Sequence, residues 1–224
     1  MRRQCRCRED HVLGELVFFH TAESNVDLFE IAARQVGLPG ARRHVVRPTL
    51  LESARIAGGL NETIRSNAAS QMVESLEGAD RLICTCSTIG PVADTLSAMG
   101  RPVIRVDRAL AEAAVTRGTR IAALVTLNST IEPTRDLFQS VADKLDRHIR
   151  LDLIIVEGAV QLLMDGDTVG YAQAIANAVD ATPDDYDAIA LAQASMAPAA
   201  RLARRPVMTS PATSMRALAA DLEH

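Results

Sequence analysis

Cys86 follows the apolar run Arg81-Leu82-Ile83-Cys84-Thr85 and stands five residues ahead of Pro91. A thiol between a strand end and a helix start faces the positive end of the helix dipole, which lowers thiol pKa and raises the thiolate fraction. That placement suits a nucleophile or an acid/base group. The competing reading is a small buried apolar residue, as most free cysteines are, and Cys84 within the run fits it better. His20 ends another apolar run, Leu16-Val17-Phe18-Phe19-His20. Its imidazole could exchange protons at neutral pH or make a structural hydrogen bond.

Hydroxyls and small residues gather at four such turns. Thr21 and Ser24 follow His20, Ser87 and Thr88 follow Cys86, and Thr126, Ser129 and Thr130 follow a third apolar run. Ala194, Ser195 and Met196 follow Gln193 after a fourth. Backbone amides at helix starts, supplemented by hydroxyls, bind carboxylates and other anions. Each Ser or Thr alone reads better as a helix cap, but four matched turns facing one cleft favour anion binding. Asp107, Glu112, Glu157 and Asp167 read as acidic helix starts, and Tyr171 as a half-buried packing residue. No glycine-rich nucleotide fingerprint occurs. The C-x-C spacing of Cys5/Cys7 and Cys84/Cys86 lacks the pattern of a zinc site. No cofactor and no metal are therefore expected.

The elements that position these residues alternate. Apolar runs at 16–20, 45–46, 81–85 and 102–106 interleave with helical patterns at 25–36, 50–77 (broken at Gly58-Gly59), 89–99 and 108–117. The order then restarts: runs at 120–125, 151–156, 188–192 and 206–208, with helical patterns at 132–145, 160–179 and 197–203. Alternation of this kind specifies parallel sheet covered on both faces. Ligands of such sheets bind outside the carboxyl ends of the strands.

Gly59, Asp80, Cys86 and Pro91 recur as Gly166, Asp187, Gln193 and Pro198, all at an offset of 107 residues. ADRLICTCSTIGP aligns in kind with YDAIALAQASMAP. An internal duplication follows: an α/β protein of two pseudo-symmetric lobes, each a small, mostly parallel sheet flanked by helices, with the active-site cleft between them. The expected divisions are an irregular or disordered tail at 1–14, lobes at 15–116 and 117–209, and a C-terminal segment at 210–224 packing back on the first lobe.

Composition narrows the function. Of 224 residues, 48% are hydrophobic and 23% charged, the balance of a globular protein. The net charge of −4, no Trp, two Tyr and four Phe argue against nucleic acid as a partner. No apolar stretch is long enough to cross a bilayer, so no membrane partner is expected. The N-terminal apolar run is too short and too interrupted for a signal peptide, which predicts a cytoplasmic protein. Arginine supplies all basic residues but Lys144, and only Arg2, Arg3, Arg6 and Arg8 cluster.

The Cys86-Ser87-Thr88 turn is similar to the Cys-Asn-Thr turn of the aspartate/glutamate racemase superfamily, and Leu191-Ala192-Gln193-Ala194-Ser195-Met196-Ala197 resembles the Leu-Gly-Cys-Ala-Gly-Met-Ala turn of its hydantoin racemases. Maleate isomerases and arylmalonate decarboxylases share that superfamily. The resemblance spans about residues 15 to 211. It implies a cofactor-independent, homo-oligomeric enzyme acting on a small carboxylate- or hydantoin-type substrate. In the racemases a cysteine from each lobe moves a proton at the substrate carbon. By position Cys86 is the first-lobe cysteine, with Thr21, Ser24, Thr126, Ser129 and Thr130 as carboxylate donors. The second-lobe position holds Gln193, which has no proton to exchange near neutral pH. Two-base racemisation thus loses its partner, leaving one-cysteine isomerisation, one-sided proton transfer or decarboxylation, with a non-catalytic small-anion binding protein as the alternative.

Overall fold

The computed structural model describes residues 14–222. The arginine cluster, Cys5 and Cys7 lie outside them, as does most of the expected tail. The described chain forms two four-stranded, all-parallel sheets. In the first half, β1 (Glu15–His20), α1 (Ser24–Gln35), β2 (Ala41–Val46), α2 (Pro48–Ile56), α3 (Glu62–Ser75), β3 (Arg81–Cys84), α4 (Gly90–Ala98), β4 (Val103–Arg105) and α5 (Asp107–Arg117) follow one another. The second half runs β5 (Arg120–Val125), a 3-10 turn (Asn128–Thr130), α6 (Ile131–Lys144), β6 (Arg150–Ile155), α7 (Ala159–Met164), α8 (Thr168–Asp180), β7 (Ala188–Leu191), a 3-10 helix (Ala194–Arg201), β8 (Met208–Thr209) and α9 (Ser210–Leu222). The sheet orders match: β2-β1-β3-β4 and β6-β5-β7-β8.

Period-2 alternation explains why the central strands are apolar throughout. Val17 and Phe19 of β1 face one way, into a core with Leu50, Met72, Leu82, Cys84, Cys86 and Val92. Leu16 and Phe18 face the other way, onto Phe29, Ile83, Val106, Met215 and Leu218. In the second sheet Ala122 and Leu124 meet Tyr171, Ile175 and Val179. Ile121 and Ala123 meet Leu137, Phe138 and Val141.

The helix that ends each half covers the opposite sheet. Leu110, Ala111, Ala114 and Val115 of α5 lie in the core beneath β5 and β7. Met215 and Leu218 of α9 lie in the core beneath β1 and β3. The halves are therefore interlocked, each burying apolar surface that belongs to the other. A buried arginine adds a polar tie. Arg105, 5% exposed, donates to both Asp107 oxygens (2.7 and 3.1 Å), to Asp94 (2.9 Å) and to the Pro133 carbonyl in α6 (2.9 Å). Its guanidinium lies against Gly90, where a Cβ would come within 2.4 Å of Nε.

The repeated aspartates have a structural role. Asp80 accepts a hydrogen bond from Gly14 N (2.6 Å), just ahead of β1. Asp187 accepts from Thr119 N (2.8 Å) and Arg120 N (2.9 Å), at the start of β5. Each carboxylate satisfies backbone donors that the adjacent strand leaves unpaired. Gly14 and Gly118 are the residues that let it approach, since a Cβ there would lie 2.5 Å from Asp80 Oδ2 and 2.1 Å from Asp187 Cβ.

Four elements depart from the sequence pattern. The helical pattern at 160–179 is two helices, α7 and α8, parted at Asp165–Asp167, where Gly166 takes a positive φ of 81°. β2 begins at Ala41, four residues before the apolar pair, because Arg42, Arg43 and His44 occupy a sheet edge that tolerates polar side chains. The region 197–203 is 3-10 rather than α-helical and starts earlier, at Ala194, with Pro198 inside it denying a backbone donor. The last strand is Met208–Thr209 instead of 206–208.

Candidate active site

A cavity of about 80 Å³ lies where the two halves meet. The first half contributes Thr21, Ala22, Ser24, Asn25, Leu51 and the Thr85–Thr88 turn, and the second contributes Thr126, Leu127, Thr130, Val160, Leu163 and the Gln193–Ser195 turn. Its walls are the carboxyl ends of β1, β3, β5 and β7, where parallel sheets present their ligand sites.

Cys86 belongs to the β3–α4 turn and is 8% exposed. The neighbouring Thr21 hydroxyl and the backbone N–H groups of Thr88 and Ile89 favour the thiolate and draw its pKa down, as a helix start allows. The thiol pKa nevertheless lies above the ordinary value. Burial pushes it up, with Asp107 adding to the rise, and outweighs those three groups. This corrects the expectation of an enriched thiolate: the helix start is present, but enclosure dominates. Cys84 is fully buried and its pKa is raised too, first by burial and then by the neighbouring Cys86. It is a core residue.

Gln193 stands in the second half. Its Oε1 accepts from Thr126 N (2.6 Å) and Thr126 Oγ1 (3.0 Å). A backbone N–H can only donate, so the carbonyl end of the amide is the anchored one. The amide NH₂ is left to face the cavity as a donor. Behind it, Tyr171 is 2% exposed and its hydroxyl lies 2.9 Å from Ser195 Oγ and 3.4 Å from Thr126 Oγ1. Burial raises the phenol pKa against the pull of Ser195 and Thr126, which keeps Tyr171 a neutral hydrogen-bonding group.

The hydroxyls divide into committed and available ones. Ser87 Oγ donates across the halves to Ala192 O (2.7 Å), Thr126 Oγ1 to Gln193, and Thr130 Oγ1 to Leu127 O (2.6 Å). These three serve the scaffold. Thr88 Oγ1 and Asn25 Oδ1 are buried without a protein partner, and Ser24 is exposed at the start of α1. Ser195 can accept from Tyr171 and still donate its own proton into the cavity. Ala194 completes the lining.

Two expected residues lie elsewhere. His20 is fully buried and does not line the cavity. Strand alternation places it on the Phe18 face of the sheet, whereas Cys84 and Cys86 share the face of Val17 and Phe19. Its ring stacks with His44 and bonds Thr85, and its pKa is lowered to about 3, by burial first and by His44 second. It is not positioned to act on a ligand directly. Ser129 lines a neighbouring cavity of about 450 Å³ with Arg55, Asn128 and Glu157, and its hydroxyl is buried without a partner. Asn25, Thr85, Leu51 and Leu163 line the site but were not singled out from sequence. Only Asn25 carried a signal, as a polar residue in the first turn after Ser24.

The remaining acidic candidates have structural partners or other locations. Asp107 is bound to Arg105, Asp167 caps α8 at Gly170 N (2.8 Å), and Glu112 lines a different groove. Among the described residues no cluster of three or more His, Cys, Asp or Glu side chains could hold a metal ion. No helix there is long and apolar enough to cross a membrane.

No family model matches the sequence, and no curated protein matches it either. Solved structures do share its fold. The glutamate racemase isoform RacE1 of Bacillus anthracis superposes with a TM-score of 0.70 at 17% identity, over 96% of this chain and 83% of that one. Picrophilus torridus aspartate racemase gives 0.69 at 12% identity, over 94% of each chain. Allantoin racemase from Klebsiella pneumoniae gives 0.65 at 19% identity, over 94% and 88%. At these identities the likeness is one of fold: two α/β lobes with parallel sheets.

Proposed function

We propose that the chain is a cofactor-independent enzyme of the aspartate/glutamate racemase type, acting on a small carboxylate- or hydantoin-type substrate with Cys86 as its single proton-exchanging group. The observation that carries this reading is one cavity in which a thiol from the first half and an anchored amide donor from the second face the same space. The fold shared with glutamate, aspartate and allantoin racemases supports it.

The chemistry follows from the inventory. The amide of Gln193, the hydroxyls of Thr88 and Ser195 and the N–H groups of the turns hold a carboxylate or hydantoin oxygen, and stabilise the enediolate as negative charge moves onto it. Cys86 rests as a neutral thiol and is equipped to give a proton. In a decarboxylation the bond to the departing carboxylate breaks, its electron pair passes into the enediolate, and the thiol protonates the carbon. The resulting thiolate recovers its proton from solvent. In one-sided exchange the thiol first gives its proton to solvent, the thiolate removes the α-proton, and the thiol so formed returns a proton to the same face. Inversion requires a second group on the opposite face, and the amide of Gln193 has no proton to exchange there.

The same glutamine also favours a second reading, a binding protein for small anions without turnover. Incubation in D₂O with α-substituted carboxylates, hydantoins and malonates, followed by NMR, separates the two. Deuteration without inversion, or loss of CO₂, supports the enzyme, and Cys86→Ser should remove that turnover with the fold intact. Rapid racemisation would overturn the role given to Gln193, and full turnover by Cys86→Ser would overturn that given to the thiol. A ligand that binds and returns unchanged and unlabelled from every incubation would establish the binding protein.

A further inference from the structure

Behind the first-half wall of the cavity runs an unbroken chain of polar contacts. Glu30 Oε1 lies 3.0 Å from His44 Nε2, His44 Nδ1 lies 2.8 Å from His20 Nε2, and His20 Nδ1 lies 2.8 Å from Thr85 Oγ1. The Thr85 hydroxyl donates in turn to Phe19 O (3.1 Å). The chain starts at a partly exposed sheet edge, where the His44 side chain is 16% accessible, and ends at the cavity-lining residue directly before Cys86. The imidazoles lie parallel, with centroids 5.1 Å apart, and are enclosed by Phe18 and Phe29.

Proton counting leaves two arrangements. Glu30 is held ionised: Arg42 bonds it at 2.7 Å and Arg34 at 3.4 Å, and its pKa is lowered to about 2, chiefly by Arg42 and against the effect of burial. A carboxylate accepts only, so His44 Nε2 carries a hydrogen in both arrangements. In the protonated chain His44 is an imidazolium. It donates from Nδ1 to His20 Nε2, His20 donates from Nδ1 to Thr85 Oγ1, and Thr85 donates to Phe19 O. In the neutral chain His44 Nδ1 accepts from His20 Nε2–H, and His20 Nδ1 accepts from the Thr85 hydroxyl. The two differ by one proton, exchanged with solvent at the edge. The charged groups bonded to the rings or to Glu30 are Arg42 from β2 and Glu30 and Arg34 from α1. The end of β3 supplies Thr85, and α9 supplies the apolar Met215 and Leu218 to the cluster shared with Phe18.

We propose that Glu30, His44 and His20 are positioning residues for the Cys86 turn: a proton gained or lost at His44 reverses each hydrogen bond as far as the Thr85 hydroxyl, so that His20 changes tautomer without changing charge. It rests on the reading that the Cys86 cavity is the reaction site. Turning the Thr85 hydroxyl from Phe19 O toward His20 alters the bonding at the joint between β1 and the β3–α4 turn. Cys86 reactivity then follows the protonation of a ring on the other face of the sheet.

The test uses the whole chain labelled with ¹⁵N-histidine, with NMR across the range in which imidazoles titrate. His20 should carry hydrogen on Nδ1 at the acid end and on Nε2 at the alkaline end, switching as His44 loses its charge. Glu30→Gln should move the switching midpoint to lower pH, since it removes the carboxylate that accepts from His44 Nε2. His44→Phe, which keeps an aromatic ring in the stack, should leave His20 in one tautomer throughout. Alkylation of Cys86 by iodoacetamide, read by peptide mapping, should show an inflection that shifts with Glu30→Gln and disappears with His44→Phe. A His20 tautomer that stays fixed while His44 titrates overturns the relay. A switch that Cys86 alkylation does not follow overturns its coupling to the cavity. Neither measurement needs a substrate, so a failure here is distinct from a failure to find turnover.

Discussion

Replacing Arg105 with methionine tests what holds the halves in register around the cavity. Its side chain is 3% accessible and that of Asp107 4%, and the two are joined by bonds of 2.7 and 3.1 Å. Burial opposes charge on Arg105, but Asp107 and Asp94 outweigh it and hold the guanidinium firmly protonated. Methionine fills much of the same space and leaves Asp107 buried with no cation. Removing one member of a buried pair costs about 3–5 kcal/mol, whereas removing both with apolar or neutral groups is far milder. The lost bond to Pro133 O removes the tie from β4 to α6 as well. Urea unfolding of wild type, Arg105→Met, Asp107→Asn and the double variant closes a mutant cycle. The single Arg105→Met change should cost about 3 kcal/mol or more, with the double variant recovering at least about 1 kcal/mol of the summed single effects. A cost below about 1 kcal/mol for Arg105→Met, or strictly additive effects, would refute the account of Asp107 as a carboxylate dependent on this arginine.

Three further expectations follow. Gln193→Leu keeps the volume but removes both the donor and the acceptor of Thr126 N, so binding of a carboxylate ligand should weaken by at least about 10- to 100-fold, the worth of one hydrogen bond to a charged group; calorimetric titration reads it. Because the His20 pKa is lowered to about 3 from 6.5, the unfolded chain binds the proton that the folded chain excludes. Its stabilising contribution is complete above pH 6.5 and is lost as the pH falls toward 3, by about 3 kcal/mol at pH 4; urea midpoints at pH 7 and pH 4 should differ less in His20→Phe than in wild type. Gly118→Ala brings a Cβ to 2.1 Å from Asp187 Cβ, a rigid atom. Overpacking of that kind should lower stability by about 1–3 kcal/mol by thermal unfolding.

The class of fold was legible because parallel strands buried on both faces need continuous apolar residues, and LVFFH, RLIC, RIAALV and AIAL supply them. The edge strands β2 and β6 were harder to delimit. ARRHVV and RLDLII carry charge where the sheet meets solvent, so apolar runs mark only part of each. The pairing of Cys86 with Gln193 was visible in the 107-residue register, and both residues line the same cavity.

What the sequence determined by itself was the order of elements, the strand-end turns rich in hydroxyls, and the presence of glutamine in place of a second thiol. Those depend on local periodicity and residue type. Tertiary structure alone decided which hydroxyls are free. Ser87, Thr126 and Thr130 look like the other donors in sequence, yet each is committed to a carbonyl brought to it from another turn or by its own. It also decided the face of His20, since one residue of strand register separates the thiol side of the sheet from the aromatic side. The thiol of Cys86 shows the same limit. The dipole at a helix start is a local property, but the desolvation that raises its pKa comes from both halves closing around one cavity.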